Sequence, residues 1–376
     1  MKKIAIYIMR LGLSIIYGIL KLFPTQENKV LFLSRQSNEL TQDFQDTQKL
    51  LLEKRPDAEI VTLCHRLEGE KSRGLTAFAV STLKSMYHMA TSSVCVLDAY
   101  WPAVSILNHK KSLTVIQMWH ALGKIKQSGY QTLGRESGRS AETARLMKMH
   151  ENYDYIIAGG KAWNPYYCQS FNTTEDKLVN CGLPRIDHLL NTAEANRAKV
   201  MAVYPAFADK TVVLYAPTFR KNIELHWEEL ADRLTKKDGI ALIVKGHPNQ
   251  QLSTENPDVY TCPEFKAVDL LAACDYLVTD YSAIAIEGAV LEKPTYYFVY
   301  DYEEYSEKNG MNIDLFEAMP RCVFRNAEDL ADAIISGKYN YKALEDYRER
   351  YLPENLGTST EQIVKLITDN MKNGKK

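Results

Sequence analysis

The chain has 376 residues, with 46 lysines and arginines against 47 aspartates and glutamates and a formal net charge of -1. That length predicts two domains rather than one. The 45% hydrophobic and 25% charged residues are typical of globular proteins and exclude a disordered, collagen-like or small disulfide-bonded chain. A balanced charge argues against a nucleic-acid-binding protein, which usually carries a basic surplus.

Residues 1–23 form the one strongly apolar segment, which ends before Pro24. One helical face carries Lys3, Tyr7, Arg10, Ser14, Tyr17 and Lys21, and the other carries Ile4, Ile8, Leu11, Ile15, Ile19 and Leu22. Such a helix can lie in the headgroup layer with its cations on anionic lipid. A helix packed on the domain, a signal peptide and a membrane span are the alternatives, but Arg10 would cost a span roughly 2.5–3.5 kcal/mol. We expect peripheral membrane association through this helix.

After Pro24 the chain alternates short apolar runs with helix-like stretches. The first series of runs begins at Val30, Glu59, Ser93, Ser112 and Tyr153, and the second begins at Thr211, Gly239, Asp275 and Lys293. This alternation is typical of parallel sheets covered by helices on both faces. We therefore expect one Rossmann-like αβα domain over 24–195, a second over 205–341, and a C-terminal helix and tail over 342–376.

The polar motifs follow the strand-like runs, where open α/β sheets bind ligands, so we expect them to face a central cleft between the domains. Trp119 and His120 follow one run, with Lys124 and Lys126 next. A histidine there is suited to act as a general base beside an anionic substrate. The alternative is a loop histidine satisfied by its neighbours.

Two motifs follow runs of the second series. Lys245-Gly246-His247-Pro248 places a second histidine at the edge of the second sheet, the alternative being a surface turn. Ala216-Pro217-Thr218-Phe219-Arg220 supplies Thr218 and Arg220, which can donate to a phosphate, although this motif taken alone favours a solvated arginine.

The segment from Thr279 to Gly288 follows another run and opens a helix. Asp280 or Ser282 can cap that helix, and the free N–H groups of a first turn bind phosphate readily. Glu287 lies five residues beyond Ser282 and can reach a sugar diol of the same nucleotide. Plain N-capping is the alternative.

In this order, the motifs resemble the CDP-glycerol glycerophosphotransferase family of teichoic acid primases and polymerases over roughly Lys29 to Asp314. The two essential histidines of the family match His120 and His247. Its T-D-Y-S loop matches Thr279, Asp280, Tyr281 and Ser282. Its G-x-P-R-x-D and G-x-x-x-D elements match Gly182, Pro184, Arg185, Asp187, Gly310 and Asp314. Ala283 replaces a second serine and Glu287 replaces an aspartate, which leaves glycerol or ribitol open.

The resemblance implies a GT-B fold in which the second domain binds CDP-glycerol or CDP-ribitol. The implied CDP-polyol site consists of Thr218, Arg220, Lys245, Thr279, Asp280, Tyr281, Ser282 and Glu287. A hydroxyl of a polyprenyl-diphosphate-linked acceptor would attack the β-phosphorus at the cytoplasmic face of the membrane, and CMP would leave. His120 would be the general base, while His247 would steady the phosphoryl oxygens or act as an acid. Acceptor or phosphate contacts would come from Lys124, Lys126, Arg185 and Asp314, with no metal or other cofactor.

Two other functions remain open at this stage. A GT-B glycosyltransferase or sugar epimerase would use the same phosphate loop and carboxylate for a nucleotide sugar. A membrane-tethered scaffold with an inactive fold is the second, but it would need neither histidine motif. The polyol, the number of additions, the acceptor hydroxyl and the oligomeric state are not determined by the sequence.

Overall fold

The computed structural model describes residues 2–66, 73–136, 138–218, 226–246 and 256–372. Two compact units make up the chain. Unit 1 comprises Met1–Ala121, Ser128–Asp187 and Pro353–Lys376, and unit 2 comprises Leu122–Gln127 and His188–Leu352.

Unit 1 is built on a six-stranded parallel sheet in the order β2-β1-β3-β4-β5-β6. Its strands are β1 (Gln26–Ser34), β2 (Glu59–Cys64), β3 (Ser92–Leu97), β4 (Thr114–Gln117), β5 (Tyr155–Ala158) and β6 (Leu178–Asn180). Its helices are α1 (Lys2–Leu20), α2 (Gln42–Lys54), α3 (Arg73–Thr91), α4 (Pro102–Ile106), α5 (Ala141–Leu146) and α6 (Asn164–Phe171). Every residue of β3 is buried, as expected for a central strand covered on both faces.

Unit 2 repeats this design with a second six-stranded parallel sheet in the order β12-β11-β10-β7-β8-β9. Its strands are β7 (Thr211–Tyr215), β8 (Ile240–Val244), β9 (Val259–Tyr260), β10 (Tyr276–Thr279), β11 (Thr295–Phe298) and β12 (Val323–Phe324). Its helices are α8 (Trp227–Leu234), α9 (Ala267–Leu270), α10 (Ile284–Val290), α11 (Tyr302–Asn309), α12 (Leu315–Ala318), α13 (Ala327–Ser336) and α14 (Tyr341–Tyr351). The interior strand β8 is entirely buried.

One helix crosses from the range of unit 1 into that of unit 2, and the last helix belongs to unit 1. Helix α7 (Pro184–Val203) begins in unit 1 and continues into unit 2. Helix α15 (Ser359–Lys372) packs on α2, β1 and β3, and so the C-terminal residues form part of unit 1. The sequence had set residues 342–376 apart from both domains. The return of α15 to the first sheet involves contacts across the whole length of the chain, which local sequence patterns do not encode.

Helix α1 contacts the rest of unit 1 through Arg10 and Tyr17, and Lys21 just beyond it adds a further contact. Tyr17 is 1% exposed, and its hydroxyl hydrogen-bonds Nδ1 of His109 at 2.9 Å. The Arg10 guanidinium donates to the Leu146 carbonyl at 2.8 Å, and Lys21 donates to the Asn108 carbonyl at 3.1 Å. Two of the cations that the sequence assigned to lipid, Arg10 and Lys21, therefore hold the helix on the protein.

The aliphatic face of α1 points outward instead. Ile8 is 66% exposed and Leu22, just beyond the helix, is 83% exposed. Residues Lys3–Leu20 are also long and apolar enough to cross a membrane, judged by length and composition alone. The helix predicted from the sequence is present. Arg10 and Tyr17 of its polar face point inward, whereas Lys3, Tyr7 and Ser14 of the same face are exposed.

Candidate active site

His120 lies just beyond the carboxyl end of β4, in unit 1. The backbone turns there at Trp119, whose φ of 63° is unusual for a residue with a side chain. The Trp119 N–H donates to the side-chain oxygen of Gln117 at 2.9 Å, which stabilises the turn. The indole lies 4.1 Å from the His120 ring, centroid to centroid, and packs edge-on against Phe171. The turn and this aromatic wall define where the imidazole points.

One hydrogen bond decides which nitrogen of His120 carries the proton. Nδ1 lies 2.9 Å from the backbone carbonyl oxygen of Asp98. Because a carbonyl can only accept, Nδ1 of the neutral ring must donate, and the lone pair is then on Nε2. In this tautomer Nε2 is the basic nitrogen of the ring.

The Asp98 residue that orients His120 is itself held from β1. Its carboxylate accepts from the Ser34 hydroxyl at 2.6 Å and from the Arg35 backbone N–H at 3.2 Å. Burial nevertheless raises the pKa of Asp98 to about 6. Neither Ser34, Arg35 nor Asp98 was singled out in the sequence. The sequence could have indicated these residues, because Ser34 ends β1, Arg35 follows it, and Asp98 follows β3. Strands β1, β3 and β4 are neighbours in the sheet, so these residues lie on the same edge as His120.

Leu122–Gln127, which begins two residues after His120, belongs to unit 2. Lys126 forms an isolated antiparallel bridge with Met311, and the Asn312 side-chain amide donates to the carbonyls of Lys124 and Lys126 at 2.8 and 3.2 Å. The Lys124 side chain is buried, which lowers its pKa well below the usual value. Within unit 2 this segment thus pairs with the segment that contains the predicted Gly310.

Gly310 has a specific steric role in that pairing. Its φ is 76°, and a Cβ there would lie 2.2 Å from the side chain of Gln127. Its carbonyl accepts from the Gln127 backbone N–H at 3.0 Å. Asp314, close by in sequence, accepts from the Phe316 N–H at 2.8 Å and caps α12. Asp314, predicted as an acceptor or phosphate contact, thus serves as a helix cap in the structure.

The carboxyl edge of the second sheet contains the next group of predicted residues. Asp280 follows β10 and accepts from both the N–H and the hydroxyl of Thr218, at 2.8 and 2.7 Å. Strands β10 and β7 are neighbours, so the two loops meet at this carboxylate. Thr279 donates to the Ala216 carbonyl at 2.8 Å and adds a second tie between the same loops.

Tyr281 and Ser282 occupy different surroundings in the same loop. The Tyr281 ring stacks on Tyr305 with centroids 3.9 Å apart, and its hydroxyl donates to Asp301 at 3.1 Å. Ser282 is half-buried and accepts from the Ile284 N–H at 3.5 Å. The sequence had suggested Asp280 or Ser282 as the N-cap of α10, but in the structure Ala283 occupies that position.

Glu287 and Lys245 are two further predicted contacts of the CDP-polyol. Glu287 lies in α10 and is 5% exposed. Lys245 follows β8 and donates to the carbonyls of Thr261 and Cys262 at 3.1 and 3.0 Å, and burial lowers its pKa. In the structure Lys245 therefore joins the ends of two neighbouring strands.

Arg185 belongs to an ion pair inside unit 1. Its guanidinium and its backbone N–H both donate to the buried carboxylate of Asp43. Asp187, two residues on, accepts from the backbone of Ser359 and Thr360 at the start of α15. Both charged residues of the G-x-P-R-x-D motif thus make structural contacts.

Two predicted site residues, Arg220 and His247, lie outside the described residues. The described ranges contain no group of three or more His, Cys, Asp or Glu side chains arranged to hold a metal ion. A reaction without a metal remains a prediction.

The fold and these sites define a class of protein, the two-unit α/β enzymes with a GT-B-like fold. Over 99% of this chain and 98% of its own, the solved structure of the wall teichoic acid polymerase TagF matches with a TM-score of 0.75 at 17% identity. The Staphylococcus aureus MnaA–UDP structure matches with a TM-score of 0.61 at 14% identity, covering 92% of this chain and 97% of its own. The predicted fold class is confirmed.

The family follows from the sequence comparisons. The profile of the family described as CDP-Glycerol:Poly(glycerophosphate) glycerophosphotransferase matches residues 15–369, and the chain belongs to this family of enzymes. The resemblance seen in its motifs is thereby confirmed.

Curated relatives differ in the polyol that their names specify. The teichoic acid poly(ribitol-phosphate) polymerase of Bacillus spizizenii is 28% identical over 93% of this chain, and the chain spans 58% of that relative. The ribitol-phosphate primase of the same organism is 26% identical over 94% of both chains. The glycerol-phosphate primase of Bacillus subtilis is 27% identical over 77% of this chain and 76% of its own.

Proposed function

We propose that the protein transfers a polyol phosphate from CDP-glycerol or CDP-ribitol to a lipid-linked precursor of teichoic acid or a related cell-surface polymer. An acceptor oxygen forms a bond to the β-phosphorus, the bond from that phosphorus to the bridging oxygen breaks, and CMP leaves. The acceptor hydroxyl loses its proton in the same reaction. Family membership and the names of the relatives support this class of reaction.

The observation that carries the proposal is the hydrogen bond between His120 and the Asp98 carbonyl, 2.9 Å long. It leaves Nε2 of neutral His120 as the atom that takes the acceptor proton. Fixed cations and N–H groups then stabilise charge on the transferring phosphoryl oxygens. We assign Arg220 and His247 the phosphoryl contacts that the family motifs imply.

We assign the CDP-polyol to unit 2. The Asp280 carboxylate ties the β7 and β10 loops together through both donors of Thr218, so these two residues shape the loop rather than contact the diphosphate. Ser282 is the half-buried hydroxyl of the loop and is the side chain we assign to the phosphate. Glu287, on the following helix, is assigned to the ribose diol.

The test is a CMP-release assay with the full chain, in which CDP-glycerol, CDP-ribitol and UDP-sugars are offered separately with a synthetic polyprenyl-diphosphate disaccharide. CMP release with one CDP-polyol, and a product heavier by one or more polyol phosphates in mass spectrometry, is the expected result. UDP release would instead identify a glycosyltransferase. Nucleotide binding without release of either product would identify an inactive scaffold.

We also infer that the outward face of α1 contacts the cytoplasmic face of the cell membrane. A row of aliphatic side chains from Ile4 to Leu22 is exposed on it, and soluble monomers seldom expose apolar surface of that extent. Helix α3 packs beside α1 and adds exposed Val80, Leu83 and Tyr87. The cations of α1 are engaged with unit 1, so we attribute binding mainly to apolar burial, worth roughly 0.8 kcal/mol per CH₂.

Replacement of Ile8 and Ile15 by glutamate tests this surface without disturbing the buried Tyr17. We expect at least a tenfold loss of binding to anionic vesicles in flotation, since two aliphatic side chains leave the lipid and two charges oppose it. Leu52→Glu is the matched control, because Leu52 is an exposed leucine on α2 and should leave vesicle binding unchanged. Equal loss in the control, or full binding by the double variant, would refute the assignment.

A further inference from the structure

Two arginines of unit 1 converge on the same tyrosine. Arg35, just beyond β1, donates from Nη1 to the Tyr100 backbone carbonyl at 2.9 Å. Arg139 places its guanidinium carbon 5.0 Å from the centroid of the Tyr100 ring. The Tyr100 hydroxyl donates to the Met147 carbonyl at 3.0 Å, so the tyrosine is fixed at both ends.

Both guanidinium groups lie beside Tyr100, one at its backbone carbonyl and the other over its ring. The pKa of Arg35 is lowered, chiefly by burial and then by the positive charge of Arg139. The Asp98 carboxylate offsets part of this repulsion at Arg35, and an anion bound by both arginines would offset more of it. Because a planar guanidinium fork matches the oxygens of a phosphate, two such groups together suit a phosphate or a diphosphate.

This pair is connected to His120 through a single residue. The Arg35 backbone N–H donates to the Asp98 carboxylate, and the Asp98 carbonyl oxygen accepts from His120. An anion bound by Arg35 would thus lie on the same edge of the first sheet as the proposed base. Neither arginine belongs to the motifs that identify the family.

We propose that Arg35 and Arg139 form a subsite of unit 1 that binds the diphosphate of the lipid-linked acceptor. This proposal rests on the proposed function and deepens it, because it specifies which part of the acceptor unit 1 recognises. Arg35 is half-buried and held by the Tyr100 carbonyl, and it provides the fixed side of the subsite. Arg139 is exposed and rests on an aromatic face, and it provides the side that can adjust to the ligand.

The experiment is isothermal titration of the full chain with inorganic pyrophosphate and, separately, with glycerol 3-phosphate, in the presence of CMP to occupy the nucleotide site. We expect Arg35→Gln and Arg139→Gln each to weaken pyrophosphate binding about 10- to 100-fold, as charge-assisted hydrogen bonds to an ion predict. Arg145→Gln, which removes the same charge from an exposed position on α5, is the control and should change binding less than twofold.

Arg139→Gln keeps the test decisive if Arg35→Gln disturbs folding, because Arg139 is exposed. Unchanged pyrophosphate binding in Arg139→Gln, or a loss confined to glycerol 3-phosphate, would overturn the assignment to the diphosphate. In turnover assays both variants should raise KM for the lipid acceptor and leave KM for the CDP-polyol within twofold. If the wild-type chain released no CMP, the proposed function would fail while the loss of pyrophosphate binding would still establish the subsite.

Discussion

The carboxyl edges of the two sheets use their polar side chains differently. At the edge of the first sheet, Asp98 uses its carbonyl to orient His120 and its carboxylate to hold the chain after β1. At the edge of the second sheet, the Asp280 carboxylate is bonded to both donors of Thr218. The first arrangement defines one reactive nitrogen, and the second defines the shape of a loop. The role of a polar motif that follows a strand can therefore be assigned only when the hydrogen-bond partners of its side chains are known.

The contrast between the two edges depends most strongly on His120 acting as a base. His120→Ala should lower turnover at saturating substrate by about 10²–10⁴-fold, the contribution of one positioned base, with CDP-polyol affinity changed less than twofold. His120→Asn is the sharper variant, since its amide can still donate to the Asp98 carbonyl but has no basic nitrogen. Turnover near wild type in His120→Asn would exclude the imidazole from the chemistry.

The raised pKa of the buried Asp98 carboxyl predicts that the free energy of unfolding depends on pH. Its pKa is raised from 3.8 to about 6, so between about pH 4 and pH 6 the folded chain keeps a proton that the unfolded chain has lost. Stability must fall as the pH rises through that window, by about 3 kcal/mol for this group, and stay level above it.

Asp98→Asn removes the titrating carboxyl, so a comparison with wild type separates its effect on stability from that of other titrating groups. Its free energy of unfolding relative to wild type, from urea titrations, should increase by about 3 kcal/mol between pH 4 and pH 7. Parallel curves for the two proteins across this range would contradict a raised pKa at Asp98.

At the carboxyl edge of the second sheet, we expect Asp280→Ala to change the structure of the loop more than the rate of the chemical step. The substitution leaves the Thr218 N–H without its acceptor, at a cost of about 1–3 kcal/mol, and we expect CDP-polyol affinity to fall about tenfold as the loop shifts. Turnover at saturating CDP-polyol should fall far less than in His120→Ala. A loss of turnover as large as that of His120→Ala, with affinity unchanged, would give Asp280 a direct part in the reaction.

Thr218→Val is the smaller change at the same contact. It removes the hydroxyl donor and keeps the backbone N–H, so stability should fall by about 1 kcal/mol and CDP-polyol affinity by less than in Asp280→Ala. Equal effects of both variants on affinity would indicate that the Thr218 hydroxyl contacts the substrate itself.

Much of the fold was accessible from the sequence because it is encoded by consecutive residues. The apolar run from Val30 to Leu33 predicts a strand, the repeating alternation predicts two parallel sheets, and the helical spacing between Lys3 and Lys21 predicts an amphipathic α1. The position of His120 after β4 followed from the same reasoning. Local period and composition are sufficient for such features.

Only the tertiary structure decided which polar groups meet. Asp280 accepts from Thr218, 62 residues away, because β10 lies beside β7, and Arg185 pairs with Asp43 across 142 residues. The structure alone also bonded Arg10 of α1 to the Leu146 carbonyl and brought Arg35 and Arg139 together on Tyr100. Such pairings depend on strand order and helix packing, and these arise from contacts between distant segments that no local pattern in the sequence records.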